Sequence, residues 1–145
     1  MATTFKATIE HVNHTTSRAV VRSHTLLVDR GVAKGGFDLG PAGGEYQLVA
    51  LGGCFTSHLL ACIRARDAAA ITNVKVAVTG TLDGTPERFT AFTVDVTAET
   101  ADPALARKLI TMASRACQVM NTLRQSAPIE ISYQGAPIES AEAVA

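Results

Sequence analysis

The spacing of apolar positions changes period several times along the chain. Residues 3–29 alternate loosely between apolar and polar and are rich in Val, Thr and Ile. This pattern predicts a strand around Thr4–Val12, a turn over Asn13–Ser17, and one long or two short strands from Arg18 to Asp29. Residues 30–44, RGVAKGGFDLGPAGG, hold six glycines and a proline, which is the composition of a loop. The segment lacks Gly-Lys-Ser/Thr, so it does not read as a phosphate-cradling loop. It reads instead as a flexible connection before a helix.

That helix is predicted from Glu45 to Arg66. Tyr46, Leu48, Val49, Leu51, Phe55, Leu59, Leu60 and Ile63 point in nearly all directions around it. A helix that is apolar on every side belongs in a protein interior. At about six turns it is long for a 145-residue monomer to bury, so an oligomer that shares it at its centre is expected. Gly52-Gly53 weakens the helix by ~1 kcal/mol per glycine relative to alanine. Their presence predicts close approach of another backbone or a ligand.

Period-two alternation returns in TNVKVAVTGTLD, where Val74, Val76 and Val78 share a face, and in FTAFTVDVTAE, where Phe92, Val94 and Val96 do. LDGTPER between them supplies Asp-Gly and Pro, so the two form a hairpin. Asp102-Pro103 opens a second helix, with an acid at the cap and proline at the first helical position. Its stripe is Leu105, Leu109, Met112, Ala113, Ala116, Met120 and Leu123, with Cys117 at the edge. PIEISYQ reads as a last strand and GAPIESAEAVA as a frayed tail. The order βββ-α-ββ-α-β predicts an α+β fold with a mainly antiparallel sheet, in one domain spanning residues 1–145.

Composition narrows the picture further. Apolar residues make up 47% and charged residues 18%, enough for a core and unlike a disordered chain. Thirteen basic and thirteen acidic residues cancel, so no charge excess points to nucleic acid or an anionic membrane. No uninterrupted apolar run reaches the ~18 residues of a spanning helix, and MATTFKATIE lacks an apolar signal core. A soluble, cytoplasmic protein is expected. Three cysteines do not make a secreted disulfide framework.

Candidate chemistry centres on LGGCFTSHLLACIRARD. Cys54, His58 and Cys62 fall at i, i+4 and i+8 on one broad helical face. Cys62 lies ~12 Å along the axis from Cys54, beyond the ~7 Å Cα separation a disulfide tolerates. The same distance keeps both from one zinc. Any thiol partner of Cys54 in this chain is therefore Cys117. A metal bound by Cys54, His58 and Cys117 is conceivable, but no CxxC pair exists and a fourth ligand is not evident, so no metal is expected. Cys62, among Leu60, Ala61 and Ile63, reads as a small buried apolar residue. Cys54 reads equally as a core cysteine or as a reactive thiol, exposed by the Gly-Gly break and tuned by His58 one turn away.

At these residues the chain resembles the OsmC/Ohr family, the osmotically inducible and organic hydroperoxide resistance proteins. The matching pieces are GGFDLGPAGGEYQLVALGGCFTSHLLACIRA, the hairpin, and LITMASRACQVMNTLRQSAPIEISY. In that family a Pro-Glu-containing segment leads a buried helix with the first cysteine. A second helix carries the other, commonly as Cys-Pro. The resemblance implies an intertwined homodimer, with antiparallel sheets wrapped around two central helices. It also implies a thiol peroxidase for organic hydroperoxides, with no cofactor. Cys54 would become a sulfenic acid, Cys117 would close a disulfide with it, and a lipoyl-type or small-thiol dithiol would reduce that bridge.

An N-terminal arginine, Arg18 or else Arg22, would face the thiolate at an active site shared between subunits. Family members orient this arginine with a glutamate ten residues before the cysteine. Here that position is Gly44, and Glu45 comes nine before. The residue after Cys117 is Gln118 where proline is usual. His58 either replaces part of the arginine–glutamate arrangement or is simply packed. These departures place the chain nearer the general OsmC-like group than Ohr. The alternative to a peroxidase is a non-catalytic small-molecule-binding or thiol redox-sensing protein on the same fold.

Overall fold

A computed structural model describes residues 1–66 and 69–138. The end of the tail predicted to fray, 139–145, lies outside the described residues. The contacts divide the chain into two compact units, Met1–Gln47 and Leu48–Ala145.

The first unit is a three-stranded antiparallel sheet in the order β1-β2-β3, with β1 Thr8–His11, β2 Ser17–Val21 and β3 His24–Val28. The region predicted as one long or two short strands is two. The turn before β2 is closed by Asn13, whose Oδ1 accepts from the Thr15 and Thr16 amides at 3.0 and 2.9 Å, a local bond that asparagine favours. The glycine-rich loop is tied down, contrary to expectation, and contains a short 3-10 turn at Val32–Lys34. Its anchor is Asp29, 3% exposed. One of its oxygens accepts from the Thr16 hydroxyl and the Phe37 and Leu39 amides, the other from the Arg30 amide. Burial pushes this carboxyl up, but the Leu39 and Arg30 amides and the Thr15 and Thr16 hydroxyls outweigh it and hold it down at about 2.

Helix α1 runs Gly43–Arg66 and crosses the boundary between units. Glu45, in its first turn, turns back so that its carboxylate accepts from the Ala42 amide at 2.9 Å, half of a capping box. The start is thus two residues before the predicted Glu45. By length and composition alone, α1 is long and apolar enough to cross a membrane. Its uninterrupted apolar runs are nonetheless short, as expected, because Gly52-Gly53 and Thr56-Ser57-His58 break them.

In the second unit, β4 Ile71–Asp83 and β5 Arg88–Thr100 form the predicted hairpin. Its turn includes Gly84 at φ 91°, a conformation glycine adopts without penalty. The sheet order is β4-β5-β6-β7, with β6 Ile129–Tyr133 and β7 Ala136–Pro137. β6 runs parallel to β5 and the other pairs are antiparallel. The second helix breaks in two at Cys117: α2 is Pro103–Ala116 and α3 is Gln118–Leu123. Asp102 caps α2 as expected, accepting from the Leu105 amide at 3.0 Å.

Within this unit α1 buries only Leu51, Phe55, Leu59 and Ile63. That stripe joins Val94 and Val96 of β5, Leu109 and Ile110 of α2 and Ile131 of β6 in one core. The all-round burial expected of α1 is not met by the single chain: Val49 is 60% and Leu60 41% exposed. The two glycines differ. A Cβ on Gly52 would stand 2.8 Å from the Val78 Cγ2, whereas one on Gly53 would meet nothing within 4 Å. Gly52 lets α1 approach β4; Gly53 faces open space.

Candidate thiol site

Cys54 lies half-buried on α1, and His58 lies one turn further along. Cys117 is 0% exposed. The break between α2 and α3 puts it there: its φ and ψ of −73° and 109° are extended, so the helical path stops for one residue. Its amide donates to the Ala113 carbonyl at 3.0 Å and its carbonyl accepts from Asn121 at 2.9 Å. Its Sγ accepts from the Met120 amide at 3.4 Å. One residue therefore closes α2 and opens α3.

Burial pushes the Cys117 thiol up to about 11, with the neighbouring Cys54 thiol adding to the rise and the Met120 and Val119 amides opposing it. The structure thus makes Cys54 and Cys117 neighbours, although 63 positions separate them in sequence. All three cysteines are free. Cys62 is half-buried and packs against the core, as a small apolar residue does. Among the described residues no group of His, Cys, Asp and Glu is arranged to hold a metal ion.

Two further residues belong to this site. Gln118 appeared in the sequence only as a departure from Cys-Pro. Its Oε1 accepts from the Cys54 thiol at 3.3 Å and lies 2.9 Å from His58 Nε2. Arg124 carried no sequence signal beyond its charge, seven residues after Cys117 at the end of α3. Its guanidinium donates to the Ser114 carbonyl, the Asn121 side chain and the Met120 sulfur. Its Nε is buried without a partner. Burial disfavours its charge, and the Cys117 sulfur beside it favours it.

The remaining candidates lie in the first unit. Arg18 is exposed on β2, opposite Glu10 of β1 and Leu27 of β3. Arg22 is exposed in the β2–β3 turn at φ 54°. Glu45 caps α1 as described. Cys54, His58 and Cys117 are brought together within the second unit, whereas a part for Arg18 and Glu45 rests on resemblance.

Cys54 on α1 and the buried Cys117 at the α2–α3 junction thus form a pair of neighbouring thiols in an α+β fold. The family model described as OsmC-like protein matches residues 35–132, and the chain belongs to that family. Crystal structures share the fold at low identity. A hypothetical protein from Aquifex aeolicus is 13% identical with a TM-score of 0.77, over 92% of this chain and 96% of that one. An organic hydroperoxide resistance protein from Legionella pneumophila is 15% identical with a TM-score of 0.70, over 91% and 98%. The organic hydroperoxide resistance protein OhrB of Bacillus subtilis is 14% identical with a TM-score of 0.66, over 90% and 98%. No curated protein sequence matches the chain.

Proposed function

We propose that this protein is a cysteine-based peroxidase that reduces organic hydroperoxides at the expense of a dithiol. The observation that carries the reading is the pairing of a half-buried Cys54 with a fully buried Cys117. Such a pair gives an accessible sulfur to meet the peroxide and a sheltered one to capture the product. Similarity to proteins named for hydroperoxide resistance supports the substrate class.

The Cys54 thiolate attacks the terminal oxygen of R–O–OH. An S–O bond forms, the O–O bond breaks, and the alkoxide leaves and takes a proton to become the alcohol. Cys54 is then a sulfenic acid. The Cys117 sulfur attacks it; the S–S bond forms, the S–O bond breaks, and hydroxide leaves with the Cys117 proton as water. A lipoyl-type or small-molecule dithiol restores both thiols by two exchanges and itself ends as a disulfide.

In this reading Arg18 supplies positive charge to the thiolate, with Arg22 as the other candidate, Glu45 orients that arginine, and His58 tunes the thiol. The exposed apolar face of α1 supports a homodimer with a shared active site, and the family match, which crosses the boundary between units, supports one domain. Three free cysteines suit a reducing, cytoplasmic setting.

The test is intact mass after one equivalent of cumene hydroperoxide. The expected product has lost two hydrogens, in a bridge mapped to Cys54 and Cys117, and Cys54→Ser abolishes dithiol-dependent peroxide consumption. Equal, negligible rates for wild type and Cys54→Ser against several alkyl hydroperoxides would sink the reading. A cavity of about 630 Å³ along α1, lined by Val49, Gly53, Leu60 and Val76 among others, favours a second reading, a non-catalytic protein that binds an apolar molecule there.

A further inference from the structure

The side chain of Gln118 stands between two titratable groups. Its Oε1 is 3.3 Å from Cys54 Sγ and 2.9 Å from His58 Nε2. An amide oxygen only accepts. In this arrangement both neighbours must donate: Cys54 holds its proton as a thiol, and His58 carries a proton on Nε2. A thiolate has no proton to offer and is repelled by the same oxygen. A half-turn of the amide about its last bond puts the NH₂ group in the oxygen's place. One of its N–H bonds then points to the thiolate. The other needs an acceptor at His58 Nε2, so the imidazole proton must sit on Nδ1.

We propose that Gln118 is a positioning residue whose amide couples the ionisation of Cys54 to the tautomer of His58. Thiol, oxygen-facing amide and Nε2–H imidazole form one state. Thiolate, NH₂-facing amide and Nδ1–H imidazole form the other. In passing between them Cys54 loses one proton to solvent. The neutral imidazole keeps its own proton, which moves from one ring nitrogen to the other through water. The other groups bearing on this thiol are Cys117, at the α2–α3 junction, and Arg124, which acts on Cys117 from the end of α3. An imidazolium carries protons on both nitrogens, so it fixes the amide oxygen toward Cys54 while its charge favours the thiolate. The two effects oppose each other. The coupling is therefore expressed where His58 is neutral.

The inference rests on Cys54 as the reacting thiol only for its effect on turnover. Its test uses no peroxide, so it can fail or succeed separately from the peroxidase reading. Iodoacetamide alkylation of Cys54 in the full-length protein is followed against pH by peptide mass mapping, which separates Cys54 from Cys62 and Cys117. Gln118→Glu presents only acceptors and adds negative charge. It should move the alkylation midpoint up by about one pH unit, a tenfold slower reaction near neutrality. The fold should tolerate it, because Gln118 is exposed and an acid suits the first residue of α3.

In ¹⁵N-histidine-labelled wild type, the His58 signal should pass from the Nε2–H to the Nδ1–H pattern across the Cys54 midpoint. The change should be absent in Cys54→Ser and in Gln118→Met. A tautomer insensitive to Cys54 ionisation, or the same change in Gln118→Met, overturns the proposal. So does an unmoved alkylation midpoint in Gln118→Glu.

Discussion

Cys117 holds its proton more tightly than an ordinary thiol because it is buried, and in the proposed reaction its attack on a Cys54 sulfenic acid requires giving that proton up. With its titration pushed up to about 11, only a small thiolate fraction exists near neutrality. Below that value the fraction grows about tenfold per pH unit. Bridge closure should rise with pH at that slope, read by quenched mass spectrometry after a hydroperoxide pulse. Arg124→Gln removes the cation beside the sulfur and should slow closure severalfold at fixed pH. A rate flat with pH and unchanged in the variant would mean that this proton does not limit closure. Cys54 and Cys117 were legible as candidates because helical distance separates Cys62 from Cys54. Gln118 and Arg124 were not, because a lone Gln or Arg announces nothing until the chain folds a sulfur against it.

Among the elements, α1 carries two adjacent glycines with opposite surroundings. Gly52→Ala drives a methyl against Val78, an overpacking that typically costs about 1–3 kcal/mol, against ~1 kcal/mol gained in helix propensity. Gly53→Ala meets nothing in the chain and should add about 1 kcal/mol of stability. Urea titration of both variants checks the contrast. A destabilising Gly53→Ala would reveal a partner's backbone against that position.

Strand alternation was readable in Val74, Val76 and Val78, because one face of β4 is half-buried and the other open. The cap at Asp102 was readable from Asp-Pro alone. The break at Cys117 was not, since Ala-Cys-Gln-Val contains no Gly or Pro to interrupt the periodic stripe. Nor was the order of the glycine-rich loop, which depends on Asp29 collecting amides eight and ten residues away.

For the whole molecule the unbalanced feature is the uncovered side of α1. The helix meets a spanning-helix criterion in composition, yet buries a single stripe against its own chain. Large apolar residues left on its other side, Val49 and Leu60 foremost, form the kind of exposed surface that marks an interaction site. Light scattering on the purified protein should give twice the 15.2 kDa chain mass. Val49→Asp, which places a charge on that face, should shift it to the single-chain value. A wild-type monomer at micromolar concentration would count against the shared-helix arrangement.

If Cys117 closes the proposed bridge, one sulfur is both a reactant and the lid of a helix. Reduced, its lone pair holds one of the free amides in the first turn of α3, that of Met120. A bridge to Cys54 draws the same sulfur toward another atom and weakens that hold. On the proposed chemistry, oxidation should loosen the start of this six-residue helix. In the proposed cycle the Met120 amide should therefore exchange faster with the disulfide than with the dithiol, a backbone readout of the bridge by hydrogen exchange.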